Sequence, residues 1–219
     1  MKTKLPITVE NIRRVHRERR KEISGRLAEF RQIYHEGSEE RFWEEMVFCF
    51  FTGGCSAAMG LRSIEAVRPL LASGTQEEIA AALNGVHRYP NARARYVVES
   101  RDYLTSNHKM QIRKTLIDFD CEQERRDWLA RTKGIKGLGY KEASHFLRNV
   151  GFKGYAILDK HVLNCLAELE LIDDPKPPST RSRYLAVENR VKELAAESKI
   201  GFDELDLVLW SMKTNAILK

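Results

Sequence analysis

Apolar side chains recur at spacings of three and four along most of the chain, and no stretch alternates apolar with polar as a half-buried strand would. The first periodic run, Val9 to Tyr34, is long and highly charged, with Val9, Ile12, Ile23, Leu27, Phe30 and Tyr34 on its inward side. The residues Glu36-Gly37-Ser38 break it, and Ser38 is placed to cap the next helix. From Met46 onward that next run is almost wholly apolar, so a helix ending at Thr52-Gly53-Gly54 is expected to be buried on several sides. Ser56 is placed to cap a third helix, and residues 56–83 read as short helices interrupted at Pro69 and Ser73-Gly74. His87 to Asn91 forms a loop, with Asn91 capping a helix through about Ser106 that carries Arg93, Arg95 and Arg101. Helices are further expected over Lys109–Leu116 and Cys121–Thr132, and two more, at about 180–199 and 202–214, close the chain. No repeat of fixed period appears. The pattern predicts an all-α fold.

One stretch concentrates the chemistry: Gly134 to His161, G-I-K-G-L-G-Y-K-E-A-S-H-F-L-R-N-V-G-F-K-G-Y-A-I-L-D-K-H. A glycine-bracketed turn, Gly137-Leu138-Gly139, leads into a helix entered near Lys141, whose apolar stripe is Ala143, Phe146, Leu147 and Val150. Lys141 then falls opposite the stripe, on a face shared with His145 and Arg148. Residues lacking Cβ let such a turn take φ > 0 and bring backbone N–H groups close to a phosphate, so Gly137 and Gly139 are candidate phosphate-binding positions. Asp159 sits where the next helix begins, ahead of the stripe Val162, Leu166, Leu169. It is read either as an N-cap alone or as an N-cap that also does chemistry, since a helix N-terminus keeps a carboxylate ionised.

The string I-x-G-L-G-x-K-x-A followed by L-D-K-H resembles the helix-hairpin-helix and catalytic Asp of the base-excision DNA glycosylase superfamily. With K-E-A-S-H-F-L-R-N-V-G and a terminal lysine, it is most similar to the type-2 8-oxoguanine DNA glycosylase/lyases. The strong similarity covers residues 134–161, with weaker echoes at 42–52, 88–101 and the last helix. That resemblance implies a two-domain helix-hairpin-helix architecture with the active-site cleft between the domains. The boundaries expected are 1–37 together with 154–219 for a terminal helical domain. A helical barrel of 38–153 is expected to contain the hairpin motif at about 125–150. It also implies that Lys141 attacks the sugar C1′ of a flipped-out nucleotide, that Asp159 stabilises the charge developing there, and that a Schiff base then allows strand cleavage. His161 resembles a phosphate-contacting histidine, though a surface histidine in a helix's first turn reads equally well. Trp210 and Tyr89 would stack on the extruded purine, and the carboxylate of Lys219 would meet the Watson–Crick donors of the oxidised guanine. Trp210 lies off the stripe of its own helix, which a second buried face including Leu207 explains as readily. Where many relatives carry an Asn or Gln that fills the gap left by the base, this chain has Gly53-Gly54, and no such role is assigned.

Charge and cysteine content narrow the partners. Lys and Arg number 37 against 31 Asp and Glu, a net charge of +6 with a pI near 9.1. That excess fits a protein that approaches phosphates, and a solubilising surface would account for it as well. The basic cluster from Arg13 to Lys21 is read as a solvated face or a DNA contact. The four cysteines, at 49, 55, 121 and 165, lack the spacing of a cluster site. With only Cys165 following Asp159, the four-cysteine iron–sulfur cluster of some relatives is excluded. No resident metal is expected, apart from a monovalent cation that the family resemblance places on the hairpin's carbonyls. The expected partner is double-stranded DNA containing oxidised guanine, bound by a monomer without membrane association, in the cytoplasm or nucleoid. Two other readings stay open: a glycosylase/lyase for oxidised pyrimidines like endonuclease III, and a non-catalytic hairpin module that only binds DNA.

Overall fold

The computed structural model describes residues 5–217. Among them are eleven α-helices and one 3₁₀ turn, and no strand. Lys219, expected at the base, lies outside the described residues. The helices are α1 (Val9–Glu36), α2 (Glu39–Thr52), α3 (Ala57–Val67), α4 (Gln76–Leu83), α5 (Pro90–His108), α6 (Ile112–Ile117), α7 (Glu122–Arg131), α8 (Tyr140–Asn149), α9 (Lys160–Glu168), α10 (Arg181–Ser198) and α11 (Phe202–Thr214). Two compact units result. One comprises the described parts of Met1–Arg31 and Gly151–Lys219; the other is Gln32–Val150. No helix among the described residues is long and apolar enough to cross a membrane.

The second unit is built around α2. Ser38 caps it by accepting from Arg41 N–H at 3.3 Å, and every residue from Glu45 to Thr52 is buried. Side chains such as Phe42, Met46, Phe50 and Phe51 each contribute about 1.5–3 kcal/mol by leaving water. One charge is buried with them. Glu45 is paired with Arg41 at 2.7 Å and accepts from Asn149 Nδ2 at 3.2 Å, which ties α2 to the far end of α8. Ser56 caps α3 through Met59 N–H, and Thr75 with Glu78 forms a capping box at α4.

The terminal unit joins the N-terminal part of α1 to α9, α10 and α11. On α1 the buried residues are Ile12, Val15, Ile23 and Phe30, while Val9, Leu27 and Tyr34 are only half-buried. The basic run on this helix is partly structural. Arg13 donates to the carbonyls of Glu197 and Ser198, so it satisfies the C-terminal end of α10, and His16 meets Glu204 at 3.0 Å.

Three helices differ from their expected form. The helix expected from Lys109 starts only at Ile112, because Lys109 and Met110 take left-handed backbone, φ 49° and 58°, after the end of α5. Asn91 does not cap α5: that helix starts at Pro90 with Tyr89 as its N-cap and runs to His108. Proline at the first helical position forfeits an N–H that would have been orphaned anyway, so the start shifts two residues earlier. In α8, His145 and Arg148 do not share an open face with Lys141, because every residue from Ala143 to Asn149 is buried. His145 lies edge-on to Phe48 of α2 at 5.7 Å.

Candidate active site

The hairpin between α7 and α8 is shaped by the side chains beneath it. Cys121 Sγ caps α7 by accepting from Glu124 N–H. After Arg131 the chain turns through Thr132, whose carbonyl accepts from Ile135 N–H at 3.0 Å, and Lys136 N–H donates to Ser100 Oγ at 2.8 Å. Ile135 and Leu138 are buried, so the hairpin is pinned by two apolar side chains. Its glycines have separate causes. A methyl at Gly134 would be driven into the ring of Tyr103 from α5. Gly137 has φ +75°, a conformation unfavourable to L side chains, and a Cβ there would stand 2.6 Å from Tyr96 Cδ2. Gly139 is the N-cap of α8 with φ −86° and ψ −174°, ordinary extended backbone, and no side chain caps the helix.

Lys141 lies in the first turn of α8, with 25% of its side chain exposed. Its Nζ is 3.7 Å from Glu142 Oε1. Glu142 in turn stands where a Cβ added to Gly139 or to Gly53 would meet its carboxylate, at 3.4 and 3.7 Å. The turn after α2 thus comes close to the turn before α8. Arg93 completes the group: buried on α5, it donates through Nη2 to the carbonyl of Gly53, and its guanidinium lies 5.8 Å above the Tyr89 ring and 5.3 Å above Tyr96. Nothing would meet a Cβ at Gly54, where φ is +72°.

Tyr89 is 41% exposed, a large ring presented to solvent. Its backbone N–H donates to His87 Nδ1 at 2.9 Å, and His87 Nε2 meets the carbonyl of Phe51 at 3.0 Å. These partners assign the Nε2–H tautomer. Burial holds the His87 imidazole below its ordinary pKa; the Phe51 carbonyl pulls the other way, and the Arg93 charge reinforces the depression.

In the other unit Asp159 caps α9. Its Oδ1 accepts from His161 N–H and Val162 N–H, each at 2.8 Å, in an extended conformation with φ −83° and ψ 174°. One carboxylate oxygen thus serves the cap. His161 and Trp210 meet edge to face, ring centroids 6.2 Å apart with planes at 90°. Trp210 is half-buried while Leu205 through Leu209 are all buried, so α11 has a broad core face that includes Leu207. Cys165, on the same helix as His161, is no competing nucleophile: burial pushes its thiol up to about 12 against the lowering by the Lys213 charge, with smaller raising contributions from Glu168 and Asp159.

The structure thus brings Gly137, Gly139 and Lys141 together in one unit, with Tyr89 joined to that group through Arg93. It brings Asp159, His161 and Trp210 together in the other. Sequence reasoning missed Arg93, Glu142 and His87 as members of the first group. Arg93 stood out only as one arginine among several, and nothing local marks its bond to Gly53. Among the described residues no group of three or more His, Cys, Asp or Glu could hold a metal ion. The hairpin's backbone carbonyls are hard, neutral oxygens of the kind a monovalent cation takes.

The family model for 8-oxoguanine DNA glycosylase matches residues 23–200. The 8-oxoguanine DNA glycosylase/AP lyase of Korarchaeum cryptofilum is 38% identical over 212 residues, 96% of this chain and 97% of that protein. A crystal structure of the Methanocaldococcus jannaschii 8-oxoguanine glycosylase/lyase in complex with a 15mer DNA containing 8-oxoguanine is 32% identical. It superposes with a TM-score of 0.88 over 96% of this chain and 99% of that one. The 8-oxoguanine DNA glycosylase of Thermotoga maritima is 34% identical with a TM-score of 0.86, over 96% and 98%.

Proposed function

The chain belongs to the 8-oxoguanine DNA glycosylase family, and from that premise we propose that it excises 8-oxoguanine from duplex DNA and then cleaves the strand as an AP lyase. The observation that carries this reading is local. A lysine stands in the first turn of α8 behind a glycine hairpin, and an aspartate caps the helix after it, within a chain matched to the family over nearly its whole length.

The backbone N–H groups entering α8 from Gly137 and Gly139, with no capping side chain to compete, suit a DNA phosphate without reading sequence. His161 is assigned a phosphate contact at the start of α9. A base inside the duplex is out of reach at its sugar, so the target nucleotide is rotated out. Trp210 and Tyr89 offer the flat faces on which a purine stacks, worth ~1–3 kcal/mol per stacked base. A monovalent cation on the hairpin carbonyls would strengthen the phosphate contact.

In the chemical step the Nζ lone pair of Lys141 forms a bond to C1′ as the N-glycosidic bond breaks. The electron pair leaves with the base, which takes up a proton. Asp159 stabilises the positive charge on the sugar as the base departs and accepts the proton that the attacking amine sheds. Ring opening of the aminal gives an iminium between Nζ and C1′. Loss of a C2′ proton then expels the 3′ phosphate by β-elimination. An amine nucleophile, unlike activated water, therefore links base removal to strand scission.

A panel of duplexes, each with one defined lesion, tests this reading. The expected result is excision with strand cleavage at 8-oxoguanine, and loss of both in Lys141→Gln. Preference for thymine glycol would shift the substrate to oxidised pyrimidines. Binding without any cleavage would leave a hairpin module that only grips DNA.

A further inference from the structure

We propose that Tyr184, Glu188 and Asp203 are positioning residues for Asp159, acting through the backbone of the segment that delivers it. The inference rests on the role given to Asp159 under the proposed function. Residues 152–159 between α8 and α9 form neither helix nor strand, yet Tyr155, Ala156, Ile157 and Leu158 are all buried. Buried backbone groups outside secondary structure need partners from elsewhere. Here side chains of α10 and α11 supply them. Asp203 Oδ1 accepts from Gly154 N–H at 2.8 Å, and Glu188 Oε1 accepts from Ala156 N–H at 3.0 Å. The Tyr184 hydroxyl donates to the Ala156 carbonyl at 2.7 Å and accepts from Leu158 N–H at 3.4 Å.

Alternate residues 154, 156 and 158 each donate an amide to a side chain of α10 or α11, which holds the segment ahead of residue 159. Asp159 N–H then donates to the Ile157 carbonyl at 2.9 Å, and its carboxylate closes onto the first turn of α9. Tyr184 and Glu188 are one turn apart on the same face of α10 and are themselves buried, so they are rigid partners. The carboxylate's placement is therefore fixed from both sides, by α9 after it and by the clamp before it. Misplacing a reacting group by about 1 Å costs on the order of 100-fold in rate.

A double-mutant cycle in the full-length protein tests the clamp. Tyr184→Phe keeps the ring and removes the hydroxyl. Measured by single-turnover excision from an 8-oxoguanine duplex, it should slow the reaction about 10- to 100-fold. It should leave affinity for an uncleavable abasic-site duplex unchanged. In an Asp159→Asn background the same change should slow the residual reaction no further. Asp203, half-buried, provides a second arm less exposed to misfolding: Asp203→Ala should slow excision, and Asp203→Asn, whose amide oxygen still accepts from Gly154 N–H, should restore it. Equal slowing by Tyr184→Phe in both backgrounds, or Asp203→Asn as slow as Asp203→Ala, would overturn the clamp while leaving Asp159 in its role. Full excision by Asp159→Asn alone would instead overturn the functional reading, and the clamp with it.

Discussion

Tyr89 is 41% exposed, with the guanidiniums of Arg88 and Arg93 over its ring, and its backbone N–H is held by a buried histidine two positions earlier. His87 must be neutral to do so, because Nδ1 has to accept the Tyr89 N–H. Its folded-state pKa is depressed, chiefly by burial, so the unfolded chain takes up the proton first as pH falls. Stability contributed by the neutral ring is complete above the unfolded value, near 6.5, and is lost as pH drops below it. Urea midpoints between pH 7.5 and 5 should fall more steeply for the native chain than for His87→Gln, and parallel curves would contradict the assignment. At this scale the sequence was unevenly legible. Asp159 as an N-cap was readable because a cap is a local event, one side chain and the next three N–H groups. The bond from Arg93 to Gly53 joins residues 40 apart in sequence, and no local pattern encodes it.

At the level of elements, the hairpin is where local rules and tertiary packing agree. Gly137 was legible as a position needing left-handed backbone; the rings of Tyr96 and Tyr103 beneath the hairpin were not. Gly137→Ala meets both obstacles at once, strained φ and a methyl 2.6 Å from Tyr96. Denaturant unfolding should show a loss of at least about 1–2 kcal/mol, the cost of a left-handed residue with a side chain. Binding to duplex DNA should weaken with it, and an unchanged midpoint would contradict this account of the turn. Helix α8 shows the opposite case. Its apolar stripe predicted one buried face, whereas α2 and neighbouring helices enclose it from several sides and bury His145 and Arg148 as well. A stripe reports the minimum that is buried, and polar residues with partners extend it.

For the whole molecule, the all-α class and most helices were readable from periodicity and breakers, since each depends on residues within a turn or two. The composition of two units from three chain segments, with 1–31 and 151–219 together, is set by long-range packing. Lys141 belongs to one unit and Asp159 to the other. The most direct test of the central claim is borohydride trapping on an 8-oxoguanine duplex, with the adduct then mapped to a residue. The account predicts a reduced covalent complex with the nucleotide on Lys141 Nζ, and none with Lys141→Gln. Trapping that is unchanged in Lys141→Gln, or an adduct mapped to a different amine, would contradict it.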